Sequence, residues 1–255
     1  MPYIRDRVFI LRSEAIREQD VRVSMYGMHY GKLVGIARGH RRPTGKQLGH
    51  MEPLTLAEVM IAEGKQYDKV AVASLVDPYY VLRKSLPKVV ILSGCLSLTD
   101  MLTRPGVSDI RIFRHMEELF EGLSNLHESP SSERAQLFYS WFALRLLGFF
   151  GTIASFSSCV VCRKNEYENM FLFPEMGGIV CENCTKQVTR HLDAVSPLAR
   201  KLLRLLQSAS CEDVASISAS RLFFREANVC VSALLSFIPA DGEPHGFKTI
   251  SSVLA

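Results

Sequence analysis

Four of the seven cysteines form two Cys-x-x-Cys pairs, Cys159 with Cys162 and Cys181 with Cys184, and eighteen residues separate the pairs. Two intervening residues allow one tight turn to direct both sulfurs at a single point, and a second such turn completes a tetrahedral thiolate site. This spacing is typical of structural Zn²⁺, and four thiolates leave no open position for water or substrate. The pattern therefore predicts one structural zinc held by Cys159, Cys162, Cys181 and Cys184, and places any activity elsewhere.

Other interpretations of the cysteines remain open. A redox-active pair of the thioredoxin type opens a helix in a βαβ unit and needs no second pair downstream, and the sequence meets neither condition. Ordinary buried thiols are a further alternative, and it is the favoured interpretation for Cys95, Cys211 and Cys230, which lie in apolar helical segments. His191 is a weaker alternative metal ligand. The odd total of cysteines with metal-type spacing suits a reducing cytoplasm better than a disulfide framework.

The charge distribution points to the N-terminal region. Residues 1–50 carry ten Lys or Arg residues and four acidic residues, a local charge of +6, although the whole chain has a formal net charge of only +4. A basic region joined to a near-neutral remainder indicates that a polyanion is bound at one end. The densest part is the segment 38–46, which we call the basic loop and which contains Arg38, Arg41, Arg42 and Lys46.

Four permanent charges on a glycine-bounded hairpin must face solvent or a polyanion. A solvated loop without a ligand is one interpretation. The alternative is contact with nucleic-acid phosphates. Tyr26 and Tyr30 precede the loop and favour that alternative, because cations follow the backbone of a single strand while aromatic rings stack on unpaired bases. Lys32 is expected to support these contacts, and Tyr26 is equally compatible with a place in the protein core.

Hydrophobic periodicity divides the chain into two parts. Period-two alternation predicts five strands, at 7–13, 21–27, 32–39, 54–61 and 69–76. Five short antiparallel strands bury their faces by closing into a barrel, and the five-stranded solution is the OB-fold. Helical periods then predict helices at 87–103, 108–126, 132–150, 196–208 and 220–237. The predicted class is α+β, with a nucleic-acid-binding OB-fold domain at 1–78 and a helical domain at 79–255 that contains a zinc module at about 157–188.

Signatures of enzymes, secretion and membrane insertion are scarce. The segment 39–46 has the wrong spacing for a phosphate-binding loop, and the sequence contains no nucleophile elbow, metalloprotease motif or paired carboxylate cluster. No signal peptide is expected, because Arg5, Asp6 and Arg7 interrupt the N-terminus. The apolar segment 141–161 contains Arg145 and is interpreted as a buried helix followed by a loop. These features favour neither a secreted nor a membrane-spanning protein, and apart from a redox role of the cysteines they indicate no enzyme.

One block of the N-terminal region carries a family resemblance. It comprises Leu11-Arg12, Glu18-Gln19-Asp20 and residues 30–42, which read YGKLVGIARGHRR. A proline-led strand, a helical domain, a four-cysteine segment and the closing stretch 247–254, FKTISSVL, follow in order. In these features, over essentially its whole length, the chain resembles the RecO family of bacterial DNA repair proteins.

The resemblance implies a recombination mediator without an active site. RecO-like proteins bind single- and double-stranded DNA, anneal complementary strands and help to load RecA on gaps coated by single-stranded DNA-binding protein. The implied partners are DNA, RecR and the acidic C-terminal tail of single-stranded DNA-binding protein, in the cytoplasm and associated with the nucleoid. The competing hypothesis is a protein–protein adaptor with a structural zinc and only incidental DNA contact.

Overall fold

The computed structural model describes residues 3–39, 49–152, 154–165, 168–186, 192–218 and 220–237. The described residues up to Ser129 form one compact unit, and those from Pro130 onward form a second. The predicted α+β class is confirmed, because a five-stranded sheet precedes a set of helices and four clustered cysteines. Among the described helices, none combines the length and hydropathy that crossing a membrane requires.

The five N-terminal strands close into a barrel in the order β1-β2-β3-β5-β4. These strands are β1 (Tyr3–Ala15), β2 (Val21–Gly27), β3 (Gly31–Ala37), β4 (Leu56–Ala62) and β5 (Asp68–Asp77). Neighbours are antiparallel except β3 and β5, which pair in parallel. The expectation that all five strands are antiparallel is therefore wrong for the β3–β5 pair. A closed ring with an odd number of strands cannot reverse direction at every pair, so one parallel pair is required.

Alternate residues of the strands fill the barrel interior, as the period-two pattern predicts. The buried core includes Val8, Ile10, Val23, Met25 and Val59. A register shift between Ile10 and Arg12 interrupts the alternation on β1. A bulge of this kind re-aims the side chains that follow it, and Arg12 is exposed on the outer surface of the barrel.

Three helices belong to the same compact unit as the barrel, namely α1 (Tyr80–Arg83), α2 (Leu86–Leu102) and α3 (Ile110–Asn125). Phe9 on the outward face of β1 packs against α3, and its ring centroid lies 4.9 Å from that of Phe120. Asp109 caps α3 by accepting a hydrogen bond from the backbone N–H of Arg111 at 2.9 Å. The helix buries the apolar stripe that the sequence predicts, which comprises Ile112, Met116, Leu119, Phe120 and Leu123.

The central helix of the second unit is α4 (Ser132–Phe149), which packs against α6 (Pro197–Ser208), α7 (Cys211–Ser216) and α8 (Arg221–Ser236). Ser131 caps α4 by accepting from the backbone N–H of Arg134 at 3.4 Å. Trp141, the only tryptophan of the chain, is fully buried in this helical core. Its indole N–H donates to the carbonyl oxygen of Ala209 at 2.9 Å, so the polar atom of this large ring is satisfied.

A small four-stranded sheet lies between α4 and α6 in the sequence, in the order β6-β8-β7-β9. Its elements are β6 (Ser155–Cys159), β7 (Met170–Phe173), β8 (Gly178–Cys181) and β9 (Ala194–Val195), with α5 (Glu182–Thr185) directly after β8. β6 and β8 are parallel and approach closely. A Cβ atom at Gly178 would lie 2.5 Å from the carbonyl oxygen of Ser155, so this strand contact requires glycine.

Candidate nucleic-acid interface and metal centre

The four paired cysteines converge on one point. Cys159 ends β6 and Cys162 lies in the turn after it, whereas Cys181 ends β8 and Cys184 lies in α5. The four Sγ atoms all lie within 4.8 Å of one another, and those of Cys162 and Cys181 are 3.8 Å apart. The parallel pairing of β6 with β8 brings the two pairs together across the intervening eighteen residues.

Backbone hydrogen bonds shape the turn of the first pair. The N–H of Arg163 donates to the carbonyl oxygen of Cys159 at 2.9 Å, and the N–H of Cys162 points to the Sγ of Cys159 at 3.5 Å. Arg163 closes the turn with a φ of 64°, in the left-handed region. This turn directs the sulfurs of Cys159 and Cys162 toward the same point, which is the geometry that the two-residue spacing predicts.

Two of the four thiols, those of Cys159 and Cys184, have pKa values shifted in opposite directions. Burial of Cys159 opposes ionisation, but hydrogen bonds from the backbone N–H groups of Cys162, Cys181 and Val161, with one from the Cys162 side chain, together outweigh it and lower the pKa of Cys159 to about 6. Burial, followed by the neighbouring sulfurs, raises the pKa of Cys184 to about 12. Thiolates bound to one Zn²⁺ at about 2.3 Å in a tetrahedron lie about 3.8 Å apart. The donor set therefore fits a tetrahedral metal ion, whose charge would offset the crowding of four thiolates.

Most of the basic loop falls outside the described residues, and that includes Arg41, Arg42 and Lys46. Arg38 is described and exposed directly after β3, where its guanidinium donates to the Tyr67 hydroxyl at 3.2 Å. Hydrogen bonding from Arg38 lowers the pKa of Tyr67. The N–H of Gly39 donates to the carboxylate of Asp20 at 2.9 Å. These contacts fix the start of the loop to the barrel.

Tyr26 is a core residue, and this placement corrects the prediction that it stacks on DNA bases. The side chain is completely buried, and burial raises the pKa of its phenol. The Tyr26 hydroxyl donates to the carbonyl oxygen of Asp109 at 3.0 Å and accepts from the N–H of the same residue at 3.1 Å. The ring thus fastens β2 to the start of α3 and offers no face to a ligand.

Tyr30 is 47% exposed and lies in the turn between β2 and β3. Arg38 lies at the other end of β3, and a seven-residue strand spans about 20 Å. The structure therefore does not bring the Tyr30 ring beside the described part of the basic loop, although the two are close in sequence. A ligand that contacts both must extend along the strand.

Lys32 is held by α2, which sequence reasoning did not foresee. Its amine lies 2.8 Å from a carboxylate oxygen of Asp100 and contacts the carbonyl oxygens of Asp100 and Thr103, at the end of α2. Only 14% of the Lys32 side chain is exposed. A cation at the C-terminal end of a helix is favourably placed against the helix dipole. Lys32 therefore joins β3 to α2 and is not available as an independent phosphate ligand.

Asp100 also contacts two other residues of the barrel. The guanidinium of Arg12 lies 3.1 Å from its second carboxylate oxygen, and the Ser24 hydroxyl donates to the first at 2.5 Å. These groups line an open cavity of about 220 Å³, together with Glu14, Arg22, Lys32, Val34 and Pro105. Asp100 is 76 residues from Ser24 in sequence, so no local pattern could have revealed this cluster.

Asp100→Asn is expected to weaken the attachment of α2 to the barrel. The amide keeps the side-chain shape but loses the charge that pairs with Arg12 and Lys32, a loss of about 1–3 kcal/mol for a partly buried charged hydrogen bond. The measurement is amide hydrogen exchange of β2, β3 and the last turn of α2. Glu14→Gln is the control, because Glu14 forms a solvent-exposed ion pair with Arg12. Loss of this pair is expected to lower the free energy of unfolding by less than about 1 kcal/mol. Equal exchange in the two variants would contradict the role given to Asp100.

Two family models and several known proteins are similar to this chain. A family model described as "Recombination protein O N terminal" matches residues 1–79, and one described as "Recombination protein O C terminal" matches residues 83–237. The chain is 24% identical over 250 residues to the DNA repair protein RecO of Dehalococcoides mccartyi, which covers 98% of this chain and 95% of that protein.

Two other relatives carry the same name. The DNA repair protein RecO of Caldanaerobacter subterraneus is 23% identical over 232 residues, which is 91% of each chain. That of Desulfitobacterium hafniense is 27% identical over 179 residues, 70% of this chain and 63% of the relative. The family models span both the barrel and the helical region, and they confirm the resemblance read from the sequence: the chain belongs to the RecO family.

Proposed function

We propose that this protein is a DNA repair mediator that binds single- and double-stranded DNA and anneals complementary strands. The observation that carries the proposal is the match to both RecO family models, together with relatives that are named DNA repair protein RecO. The closed barrel supports it, since five-stranded barrels of this type bind oligonucleotides. The local charge of +6 in residues 1–50 supplies attraction to a polyanion.

The basic loop is the proposed phosphate-binding element, with contacts from Arg38, Arg41, Arg42 and Lys46. Arg38 supports this assignment because it is exposed and fixed at the start of the loop. Lys32 acts indirectly, by holding α2 against the strand that leads into the loop. Tyr30 is the proposed stacking residue, and Tyr26 is no longer a candidate, since its ring is buried.

Annealing needs a surface that screens two phosphate backbones while leaving the bases free to pair. Cations on a loop and a barrel face meet this need, because they bind phosphate without reading base edges. A protein of this kind would hold complementary strands together and help to load RecA on gaps coated by single-stranded DNA-binding protein. No catalytic group is required for either step, and we propose that the protein is not an enzyme. Its proposed location is the cytoplasm, at the nucleoid.

Helix α6 offers a surface for the acidic C-terminal tail of single-stranded DNA-binding protein. Leu198 and Leu205 are exposed on this helix at a separation of seven residues, and Lys201 and Arg204 are exposed with them. Residues at such spacing share one helix face, which therefore combines apolar and cationic groups. An acidic peptide ending in apolar residues is complementary to such a face. RecR is the second proposed partner, and no described residue is assigned to it.

The four-cysteine cluster is the proposed site of one structural Zn²⁺ per chain. Cys159, Cys162, Cys181 and Cys184 supply four sulfurs, which fills a tetrahedral coordination shell and leaves no place for a substrate. We also propose the division of labour expected from sequence, with DNA binding in an OB-fold domain at 1–78 and partner binding and metal in a helical domain at 79–255. The helices α1 to α3 nevertheless belong to the same compact unit as the barrel.

Replacing Arg41 and Arg42 together by alanine is expected to lower the affinity for single-stranded DNA by tenfold or more at low salt. Each phosphate contact to a single strand contributes about 0.7 to the slope of log affinity against log salt, so the slope should decrease in magnitude by about 1.4. The measurement is fluorescence anisotropy of a labelled oligonucleotide over a salt series.

The matched control is Arg221→Ala with Arg225→Ala, which removes the same charge from exposed positions of α8. The control should retain both affinity and slope. An unaltered affinity and slope in the Arg41 and Arg42 variant would show that the basic loop does not bind phosphate. Annealing of complementary strands coated by single-stranded DNA-binding protein, with and without that protein's acidic tail, tests activity and partner recognition together.

The second candidate function is a protein–protein adaptor that meets DNA only incidentally. The observation that favours it is the internal pairing of Arg12 and Lys32 with Asp100, which engages two of the barrel's cations in contacts within the protein. Negligible DNA affinity of the intact protein, with normal binding of a RecR-like partner after loss of the basic loop, would favour the adaptor. Salt-dependent DNA binding that requires the loop would exclude it.

A further inference from the structure

The turn between β2 and β3, residues 28–30, is held from inside by the carboxylate of Asp6. One carboxylate oxygen accepts from the N–H of Tyr30 at 2.9 Å and from the N–H of His29 at 3.0 Å. The other accepts from the N–H of Arg7 at 2.9 Å and lies 2.9 Å from the Nδ1 atom of His29. Four hydrogen-bonding groups therefore converge on one side chain that comes from a different strand.

Burial makes this arrangement more than a surface contact. The Asp6 side chain is completely buried, and a buried carboxylate is tolerated only when hydrogen bonds replace its hydration. A Cβ atom at Gly27 would lie 2.1 Å from the Asp6 carboxylate, so the carboxylate occupies the space that any other residue would need. Gly31 ends the turn with a φ of 64°. Asp6 thus holds the backbone of the turn at His29 and Tyr30.

The side chains of the turn point outward although their backbone is held inside. The side chain of His29 is 67% exposed, and Tyr30 is among the exposed large side chains of the chain. Only the Nδ1 edge of the imidazole is engaged by Asp6. Arg7 lies beside the turn, because its carbonyl oxygen accepts from the N–H of Met28 at 3.0 Å. Its guanidinium lies 4.0 Å from the carboxylate of Glu117, and 43% of its side chain remains exposed.

We infer that Asp6 preorganises His29 and Tyr30 as a stacking platform for an unpaired nucleobase, with Arg7 beside it for the adjoining phosphate. Rings held by a fixed backbone lose little entropy when a base stacks on them, and every base has a π-face, so the site is indifferent to sequence. Asp6 is a positioning residue in this assignment, since it acts through the turn. The inference rests on the proposed DNA binding and on Tyr30 as its stacking residue. It adds His29, Arg7 and the support by Asp6, about 20 Å along β3 from Arg38.

The test compares two single-stranded probes of fifteen nucleotides, oligo-dT and an abasic strand with the same number of phosphates. Tyr30→Ala keeps the backbone N–H that Asp6 accepts, so the turn is retained while the ring is lost. We expect about a five- to hundredfold loss of affinity for oligo-dT, with little change for the abasic strand and an unaltered salt slope. Tyr30→Phe keeps a stacking ring and should behave as the unaltered protein.

Asp6→Asn tests the positioning role. The amide nitrogen cannot accept a hydrogen bond, so one end of the turn is released. We expect a smaller loss that is again confined to oligo-dT, together with faster hydrogen exchange at His29 and Tyr30. Gly27→Ala displaces the same carboxylate from the other side and should reproduce the result. If these two variants do not fold, the Tyr30 variants still decide whether the platform binds bases.

The outcomes separate this inference from the proposed function. If Tyr30→Ala binds each probe as tightly as the unaltered protein does, the stacking platform is overturned and DNA binding by the basic loop is left intact. A parallel loss for both probes would mean that Tyr30 supports the fold or a phosphate contact, which also overturns the platform. Binding of neither probe by the unaltered protein would overturn both proposals.

Discussion

Cys181→Ser is expected to abolish metal binding and to unfold the small sheet of the second unit. The hydroxyl is a poor replacement for a thiolate, and zinc bound by four cysteines contributes folding free energy of about 10 kcal/mol or more in small zinc modules. Three measurements check this: zinc content per chain, reactivity of the remaining thiols, and the urea midpoint from Trp141 fluorescence. We expect zinc to fall from one per chain to none, the thiols to become reactive, and the midpoint to decrease.

Cys230→Ser is the matched control for this experiment. Cys230 is buried in the same unit but is not part of the cluster, so its replacement should leave the zinc content unaltered and lower stability only modestly. Hydrogen exchange of the barrel strands should be the same in all three proteins. Absence of metal from the unaltered protein, or a full zinc content in Cys181→Ser, would refute the structural zinc and reopen the redox interpretation.

Gly178→Ala is expected to have the second large effect on stability. The added methyl would lie 2.5 Å from the carbonyl oxygen of Ser155 and 2.7 Å from a methyl group of Val160. Backbone atoms cannot move aside as a flexible side chain can, so β6 and β8 must separate, at a cost of about 1–3 kcal/mol or more. Because the cysteine pairs follow these strands, we expect weaker zinc retention against a chelator and a lower urea midpoint.

Gly148→Ala is the control, because it makes the same chemical change in the same unit. Gly148 lies in α4, and an added Cβ would meet no atom within 4 Å. Alanine in a helix is favoured over glycine by about 1 kcal/mol, so this variant should raise the urea midpoint without changing zinc retention. Similar behaviour of the two variants would show that the close approach of β6 and β8 does not support the metal site.

Much of the fold could be predicted because its signals are local. Alternation in β2 and β3 and the apolar stripe of α3 place the main strands and helices to within a few residues. The Cys-x-x-Cys spacing is likewise a local signal, because it predicts the turn that brings the two sulfurs of a pair together. Short elements such as α1 and α7 lack enough turns to show a period, and the sequence did not reveal them. The small sheet was missed for the same reason.

The roles of single polar residues depended on contacts that are distant in sequence. In the sequence, nothing distinguishes Asp100 and Asp6 from other acidic residues. The fold places Lys32 beside Asp100 and His29 beside Asp6. Tyr26 illustrates the opposite error. It lies near the basic loop in sequence, but its position on the outer face of β2 directs the ring toward α3, where the backbone of Asp109 satisfies its hydroxyl. Nearness in sequence does not measure nearness in space once a strand intervenes.

The order of strands in the barrel has a consequence for the nascent chain. The meander of β1 to β3 has emerged completely once residue 37 leaves the ribosome, but the partners of its two free edges are β4 and β5, which end at Asp77. At about 5–20 residues per second, the ribosome needs about 2–8 seconds to deliver those forty residues. Unpaired strand edges invite association with other chains. The speed of translation between residues 38 and 77 therefore sets how long each newly made chain is exposed to aggregation.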